Sequence, residues 1–359
     1  MREDQSTDRT IVVIPTLNEA RHIGRVVQGF LKDPAADHIW ITDGGSRDGT
    51  RRIIRALEAK HSRVRLIHNA RGLQAPGINQ AARKAARHGA RIMVRADAHA
   101  HYPPGFVSAL VARLQDSGAD SVTVPLVTPS QGASSTEALR LNGWQKAGAA
   151  LQNSFLGHGG AAHRKISPSG WVTHGHHAAF RLDRFLALQG YDTSFAANED
   201  VEFDRRLLRA GGSIWFDASL PVTYLPRPSL KASFAQMRRN GRGRAQTALK
   251  HGEMPGLRQM LPVIALSCLA LMPLGLLAAP LALPGLAYLG LLSALAFLSA
   301  PLRPLRALRV ALLALASHTG FALGLMGGLL QGPLQGRGPM AHMLRLRPAS
   351  TGRPERTPG

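Results

Sequence analysis

From Gln259 to Leu302 the chain carries no Asp, Glu, Lys or Arg. A helix on the surface of a soluble protein keeps one polar face, whereas a run this long is apolar all round. It suits two membrane-crossing helices of about 20 residues each. They read as Leu261–Leu281 and Pro284–Ala300, joined by uncharged residues, so a tight hairpin crosses and returns. Arg258 before it and Arg303, Arg306 and Arg309 after it suit the cytoplasmic side, where Lys and Arg concentrate. A second uncharged run covers Val310–Gly336, and Val310–Leu330 is long enough for a third span. A third crossing would put the Arg-bearing tail outside, against the same rule. A tilted, re-entrant or interfacial segment therefore competes with it. Three crossings are the expectation carried forward.

Up to about residue 255 the chain reads as a soluble domain. Its N-terminus, "MREDQSTDRT", is charged and lacks the apolar stretch of a signal peptide. The soluble part is thus expected in the cytoplasm, anchored to the inner (cytoplasmic) membrane. The net charge is +22, with 44 Lys plus Arg against 22 Asp plus Glu. Such an excess calls for an anionic partner, and beside membrane spans anionic lipid headgroups are the simplest. No motif that reads DNA or RNA accompanies the charge, so no nucleic acid is expected. Cys268 is the only cysteine, which excludes an intrachain disulfide and a Cys-based zinc site.

Strand-length apolar runs alternate with helix-length periodic segments through Pro125. Thr10–Ile14, His38–Thr42, Val64–His68, Arg91–Arg95 and Ala119–Pro125 read as strands. Glu19–Leu31, Asp48–Lys60, Ala75–His88 and Pro104–Ser117 read as helices, the second started by Ser46 or Asp48. The alternation predicts an α/β fold: a Rossmann-like, mostly parallel sheet with helices on both faces. Ligands of such sheets sit at the carboxyl ends of strands. The loops after Ile14, Thr42 and Arg95 should therefore meet in one crevice. Beyond Val127 the alternation stops, and 128–178 is rich in Gly, Ser, His and Ala. Arg181–Leu188 and Glu199–Ala210 read as helices, Ser213–Phe216 as a strand, and Lys231–His251 as a basic helix entering the membrane.

Six stretches could carry chemistry. "PTLNEA" (Pro15–Ala20) follows the first strand. In "TDGGSRDGT" (Thr42–Thr50), Asp43 either meets a base or ribose or simply closes a tight βα turn. In "RADAHAHYP" (Arg95–Pro103), Asp97 and His99 have the D-x-D spacing with His second. They either meet Mg²⁺ or Mn²⁺ together or are merely solvated. Histidines gather in "GHGGAAHR" (Gly157–Arg164) and "HGHHAAF" (His174–Phe180), but zinc spacing is absent, so a polar pocket lining fits better. In "NEDVEFDRRLLRAG" (Asn198–Gly211), Glu199 and Asp200 either complement a helix dipole or supply a general base. "QMRRNGRGR" (Gln236–Arg244) sets four arginines in seven residues, facing lipid, a pyrophosphate, or both.

In their order, "IPTLNE", "TDGGSRDGT", "RADAH", "LQGYDTSF" (Leu188–Phe195), "NEDVEF" and "QMRRNGRGR" resemble the family-2 glycosyltransferases of the GT-A fold, over about residues 10–250. "RADAHAHYP", "GHGGAAHR", "WVTHGHHAAFRL" and "NEDVEFDRRL" are more narrowly similar to the succinoglycan biosynthesis glucosyltransferases. The resemblance implies an inverting, metal-dependent transfer of a hexose, glucose first, from a UDP-sugar to a polyprenyl-diphosphate-linked saccharide in exopolysaccharide biosynthesis. Partners would be that donor, the lipid-linked acceptor, an anionic membrane and other polysaccharide-assembly enzymes. Pro15, Thr16, Asn18, Glu19 and Asp43 would border the uridine. Gly44 stands where a second acid is usual. Asp97 and His99 would meet Mg²⁺ or Mn²⁺ and the donor diphosphate. Asp200 would be the catalytic base. Gln236, Arg239 and Arg242 would contact donor or acceptor, although Asn240 replaces the Trp of the related Q-x-x-R-W motif. A transferase making a small glycolipid or other lipid glycoside is the alternative, with a non-enzymatic anionic-lipid or nucleic-acid binding protein behind it, and a processive synthase would need more spans. The chain divides into a tail (1–9), the transferase domain (10–230), a juxtamembrane helix (231–258), the membrane region (259–332) and a disordered basic tail (333–359).

Overall fold

The structure, a computed structural model, describes residues 9–129, 141–154 and 168–334. The Gly157–Arg164 histidine stretch, the first eight residues and the tail beyond Leu334 lie outside the described residues.

Four βα units open the chain: β1 (Arg9–Thr16) and α1 (Ile23–Leu31), β2 (His38–Asp43) and α2 (Thr50–Lys60), β3 (Val64–His68) and α3 (Gln74–Arg87), β4 (Ala90–Arg95) and α4 (Phe106–Ser117). The short β5 (Ala100–His101) lies in the last connection. Alternate strand residues feed two core layers, as a pleated strand requires. Val12, Ile14, Ile39, Ile41, Ile92 and Val94 pack under α1, α2 and α4. Ile11, Val13, Trp40, Ile67 and Met93 pack against α3 on the other face. Burial on both faces is the condition for a parallel sheet. In α1 the buried set is Ile23, Val26, Val27 and Phe30, one face at helical spacing.

The second half contributes β6 (Ser121–Val124), β7 (Leu126–Val127), α5 (Gly143–Gln152), β8 (Gly170–Trp171), β9 (His176–Arg181), α6 (Leu182–Ala187), α7 (Glu199–Arg209), β10 (Ile214–Phe216), β11 (Val222–Tyr224) and α8 (Leu230–His251). The main sheet runs β3-β2-β1-β4-β9-β6-β10-β8, and a small sheet runs β5-β11-β7. β1, β2, β3 and β4 are parallel, whereas β9 enters antiparallel between β4 and β6. The chain leaves β1 for β2 and β3 on one side and returns to β4 on the other. The β1/β4 junction is therefore the switch point, where a crevice opens at the strand ends.

Several boundaries depart from the sequence expectation. α1 starts at Ile23, because Asn18 takes a left-handed backbone (φ 57°) and turns the chain first. α2 starts at Thr50 after a left-handed Gly49. β9 and β11 were unexpected as strands, and α5 as a helix. The β9 sequence, "HHAAFR", has little strand propensity, and pairing on both edges overrides it. Asp33 caps α4 from a distance: its carboxylate accepts from the Val107 and Ser108 backbone N–H groups at 2.8 and 3.2 Å. Asp33→Ala should cost about 1–3 kcal/mol. A thermal melt of the detergent-solubilised protein should register it as a lower midpoint, while an unchanged midpoint would dismiss the cap.

The C-terminal part holds α9 (Leu257–Leu271), α10 (Leu283–Ser299) and α11 (Pro304–Leu334). Three segments, Leu257–Leu276, Ala279–Ser299 and Pro304–Gln331, are long and apolar enough to cross a membrane.

Candidate active site

The first two strand-end loops are zipped together. The Asn18 N–H donates to Ser46 Oγ at 2.8 Å, the Arg47 N–H to Asn18 Oδ1 at 2.9 Å, and the Glu19 N–H to Thr50 Oγ1 at 2.8 Å. Pro15 and Thr16 end β1 opposite Thr42 and Asp43 and are buried, so they form the floor of the crevice. Asp43 is 1 % exposed, and its Oδ2 accepts from the Gly45 and Ser46 N–H groups, both at 3.1 Å. It therefore holds its own turn, as one sequence reading had it, while also lining a cleft with Arg51, Arg55, Glu58, Leu66 and His68. The Gly44 backbone packs against Gly72, and a side chain there would meet Gly72 O at 3.0 Å. That close approach favours glycine at this position.

The β4–β5 loop crosses the switch point. His99 Nδ1 meets Glu19 Oε1 at 3.0 Å, joining the loops after β4 and β1. Burial lowers the His99 pKa, but the Glu19 hydrogen bond and the Asp97 charge outweigh it and hold the imidazole above its ordinary value. The Asp97 N–H donates to Tyr102 Oη at 2.6 Å, which fixes the turn. A carboxylate beside an imidazole whose Nδ1 is held by a second carboxylate is the donor set of many metal centres. Among the described residues no three His, Cys, Asp or Glu side chains form a complete cage. A pair of this kind could hold a cation that completes its shell with substrate phosphate. His101 is pushed down to about 4 by burial and by the charges of Arg25 and His22, so it is neutral at working pH.

Arg95, at the end of β4, joins this loop to α7. Its buried guanidinium donates to Glu199 Oε1 at 3.1 Å, Tyr191 Oη at 3.3 Å and Gln74 Oε1 at 3.3 Å. Tyr191 in turn belongs to an aromatic cluster with Phe180, Phe185 and Phe203, which seats α7 on the sheet. Asp200 thus stands on the first turn of α7, within reach of the Arg95 charge. His176 Nδ1, from β9, meets its Oδ2 at 2.9 Å. Burial raises the Asp200 pKa, but His176, then His174 and Arg95, outweigh it and hold the carboxylate well below its usual range. His174 meets Asp204 Oδ2 at 2.6 Å one turn further along. His174, just before β9, and His176, at its start, are therefore matched to α7 carboxylates, and neither pair joins the Asp97–His99 loop in a shared cage.

From α8, Gln236 donates to Tyr224 Oη at 3.1 Å, and the Tyr224 ring lies edge-on to His99 at 6.0 Å. Gln236 thereby reaches the Asp97–His99 loop through one aromatic side chain. Arg239 and Arg242 are exposed on other faces of α8. Arg244, which the sequence reading passed over, is half-buried and feels the charges of both Asp200 and Asp204. Its signal was helical phase: Gln236, Asn240 and Arg244 recur every four residues. Arg95 and His176 were also passed over, because their partners lie far away in the chain.

A family model described as glycosyl transferase family 2 matches residues 11–183. The chain is 41% identical over 266 residues to the succinoglycan biosynthesis protein ExoA of Rhizobium meliloti (strain 1021), covering 73% of this chain and 77% of that one. Among solved structures it is similar to the mannosyltransferase PcManGT from Pyrobaculum calidifontis in complex with GDP-Man and Mn²⁺. That match has a TM-score of 0.49 and 19% identity, over 91% of this chain and 86% of that one. It is also similar to S. aureus TarS 1-349 in complex with UDP, with a TM-score of 0.42 and 13% identity, over 91% and 92% of the two chains. With this much of its length shared with one relative at 41% identity, the chain belongs to glycosyl transferase family 2 and is a membrane-associated glycosyltransferase.

Proposed function

We propose that the protein transfers a hexose, with inversion, from a UDP-sugar to a polyprenyl-diphosphate-linked saccharide in exopolysaccharide assembly. Residues 10–230 would form the transferase domain, facing the cytoplasm from the inner membrane. The relative named for succinoglycan biosynthesis supports the pathway class. The observation that carries the chemistry is the Arg95–Glu199 pair at 3.1 Å, which ties the Asp97–His99 loop to the helix bearing Asp200. Pro15, Thr16, Asn18, Glu19 and Asp43 border the nucleoside. Asp97 and His99 would hold Mg²⁺ or Mn²⁺, which would supply positive charge at the donor diphosphate. Arg244 adds a fixed cation on the α8 side, while the exposed Arg239 and Arg242 meet phosphate groups at the membrane surface. Asp200, ionised at working pH, takes the proton of the attacking hydroxyl.

Incubating membranes with a panel of UDP-sugars, with and without Mn²⁺ or Mg²⁺, and lipid-linked acceptors tests this reading. Metal-stimulated UDP release with one donor is expected, and no donor consumption under any condition would remove it. The His176–Asp200 pair gives a second expectation. His176 is the leading cause that keeps the Asp200 pKa low, so His176→Ala lets that pKa rise. The acid limb of the kcat/KM profile should then move to higher pH, with kcat reduced and donor KM little changed. An unmoved acid limb would show that Asp200 is not the group titrating there.

A further inference from the structure

α11 is long and apolar enough to cross a membrane, yet its packing is wrong for a crossing. Arg309 lies over the Trp144 ring of α5 at 5.8 Å. Val310, Leu313 and Ala314 share a buried cluster with Ala147 and Leu151 of α5 and with Leu292 and Ala296 of α10. Further along, glycines let α11 touch the α8 backbone. Side chains at Gly320, Gly324 and Gly328 would collide with Phe234 O, Arg238 O and the Ala245 Cβ. A side chain at Gly241 of α8 would likewise collide with Phe321 O. The two helices therefore run side by side and parallel.

From Arg309 to Gly328 the helix rises about 28 Å, close to the roughly 30 Å of a bilayer's hydrocarbon core. Over that length it is clamped to α5 and then to α8, with α10 beside it around Val310–His318. Those helices carry Lys146 on α5 and the exposed Arg238, Arg239 and Arg242 on α8. Were α11 to cross, these charges would be drawn through hydrocarbon, where each is costly. The exposed apolar residues of α11 agree with a different placement. They are Leu305, Leu308, Leu312, Leu323, Met326 and Leu330. At 3.6 residues per turn they fall within an arc of about 60°. Of its most apolar window 39% is buried in protein, against 0% for Leu257–Leu276 and 17% for Ala279–Ser299.

We propose that α11 lies in the plane of the membrane surface, with its leucine stripe in the acyl boundary and the catalytic domain seated on its other faces. This is the geometry of an interfacial amphipathic helix. The occupant of the stripe is lipid, because the stripe is continuous with the apolar segments that precede it and is followed by cationic residues. Without a third crossing, the end of α11 at Leu334 stays on the catalytic-domain side. The conflict between a third span and the charge bias of the tail disappears.

The test uses the full chain carrying Cys268→Ala. Lys60→Cys and Gln331→Cys, both at exposed positions, are labelled with a membrane-impermeant maleimide in right-side-out and inverted vesicles. Both should react in the same vesicle orientation, and reaction in opposite orientations would overturn the proposal. Nitroxides at Leu308→Cys and Met326→Cys, read by collision with oxygen and with an aqueous nickel chelate, should report one common shallow depth. Depths differing by a leaflet would also overturn it. The maleimide arm stands even if the stripe variants fail to fold.

Discussion

Asp200→Asn leaves donor binding intact and lowers transfer by about 10²–10⁴-fold, the usual contribution of a positioned base. The substitution keeps size and shape but removes the charge that accepts a proton. It also leaves the anchor of α7 in place, because Arg95 grips Glu199 and not Asp200. The loss is thus expected in kcat, with the affinity for UDP by calorimetry and the thermal midpoint both near wild type. Near-normal turnover would end the base assignment. Loss of UDP binding would instead assign Asp200 to the donor.

The second large effect belongs to the β4–β5 loop. Asp97→Ala should abolish metal-stimulated transfer, a drop of about 10²–10³-fold if one strong electrostatic contact to the leaving group is lost. His99→Asp should retain part of the activity and shift the preference between Mn²⁺ and Mg²⁺, because a carboxylate is a harder donor than imidazole. Metal titrations of both variants read this directly. A folded but inactive His99→Asp protein would mean that the imidazole, with Glu19 at its Nδ1, does something a carboxylate cannot.

The βα units up to Ser117 were legible because each apolar run is bounded by turn residues and each helix keeps one apolar face. The crevice followed from that alternation alone, since the loops after β1, β2 and β4 must share one edge of a parallel sheet. What the sequence hid is long-range. β9 has two histidines and two alanines where a strand former is expected, and its place comes from its neighbours in the sheet. The Arg95–Glu199 bond joins residues 104 apart, and no local pattern announces it. Among the α8 arginines, spacing could not tell which one turns inward. Only the seat of α8 on α11 and on Asn198, whose Nδ2 donates to Asn240 O at 2.8 Å, brings Arg244 towards Asp200 and leaves Arg239 and Arg242 exposed. The last uncharged run had the composition of a span, and only its packing partners argue for another placement.

All these contacts converge on one claim, that Asp200 deprotonates an acceptor hydroxyl attacking opposite the diphosphate held near Asp97. A single displacement of that kind inverts the anomeric centre. The purified full chain, given an α-linked UDP-sugar that it consumes and a lipid-linked acceptor, should therefore make a β-linked product. The anomeric proton coupling in the NMR spectrum of that product decides the matter. A large coupling from a gluco-configured sugar is the predicted result, and a small coupling, marking an α-linkage, would contradict it.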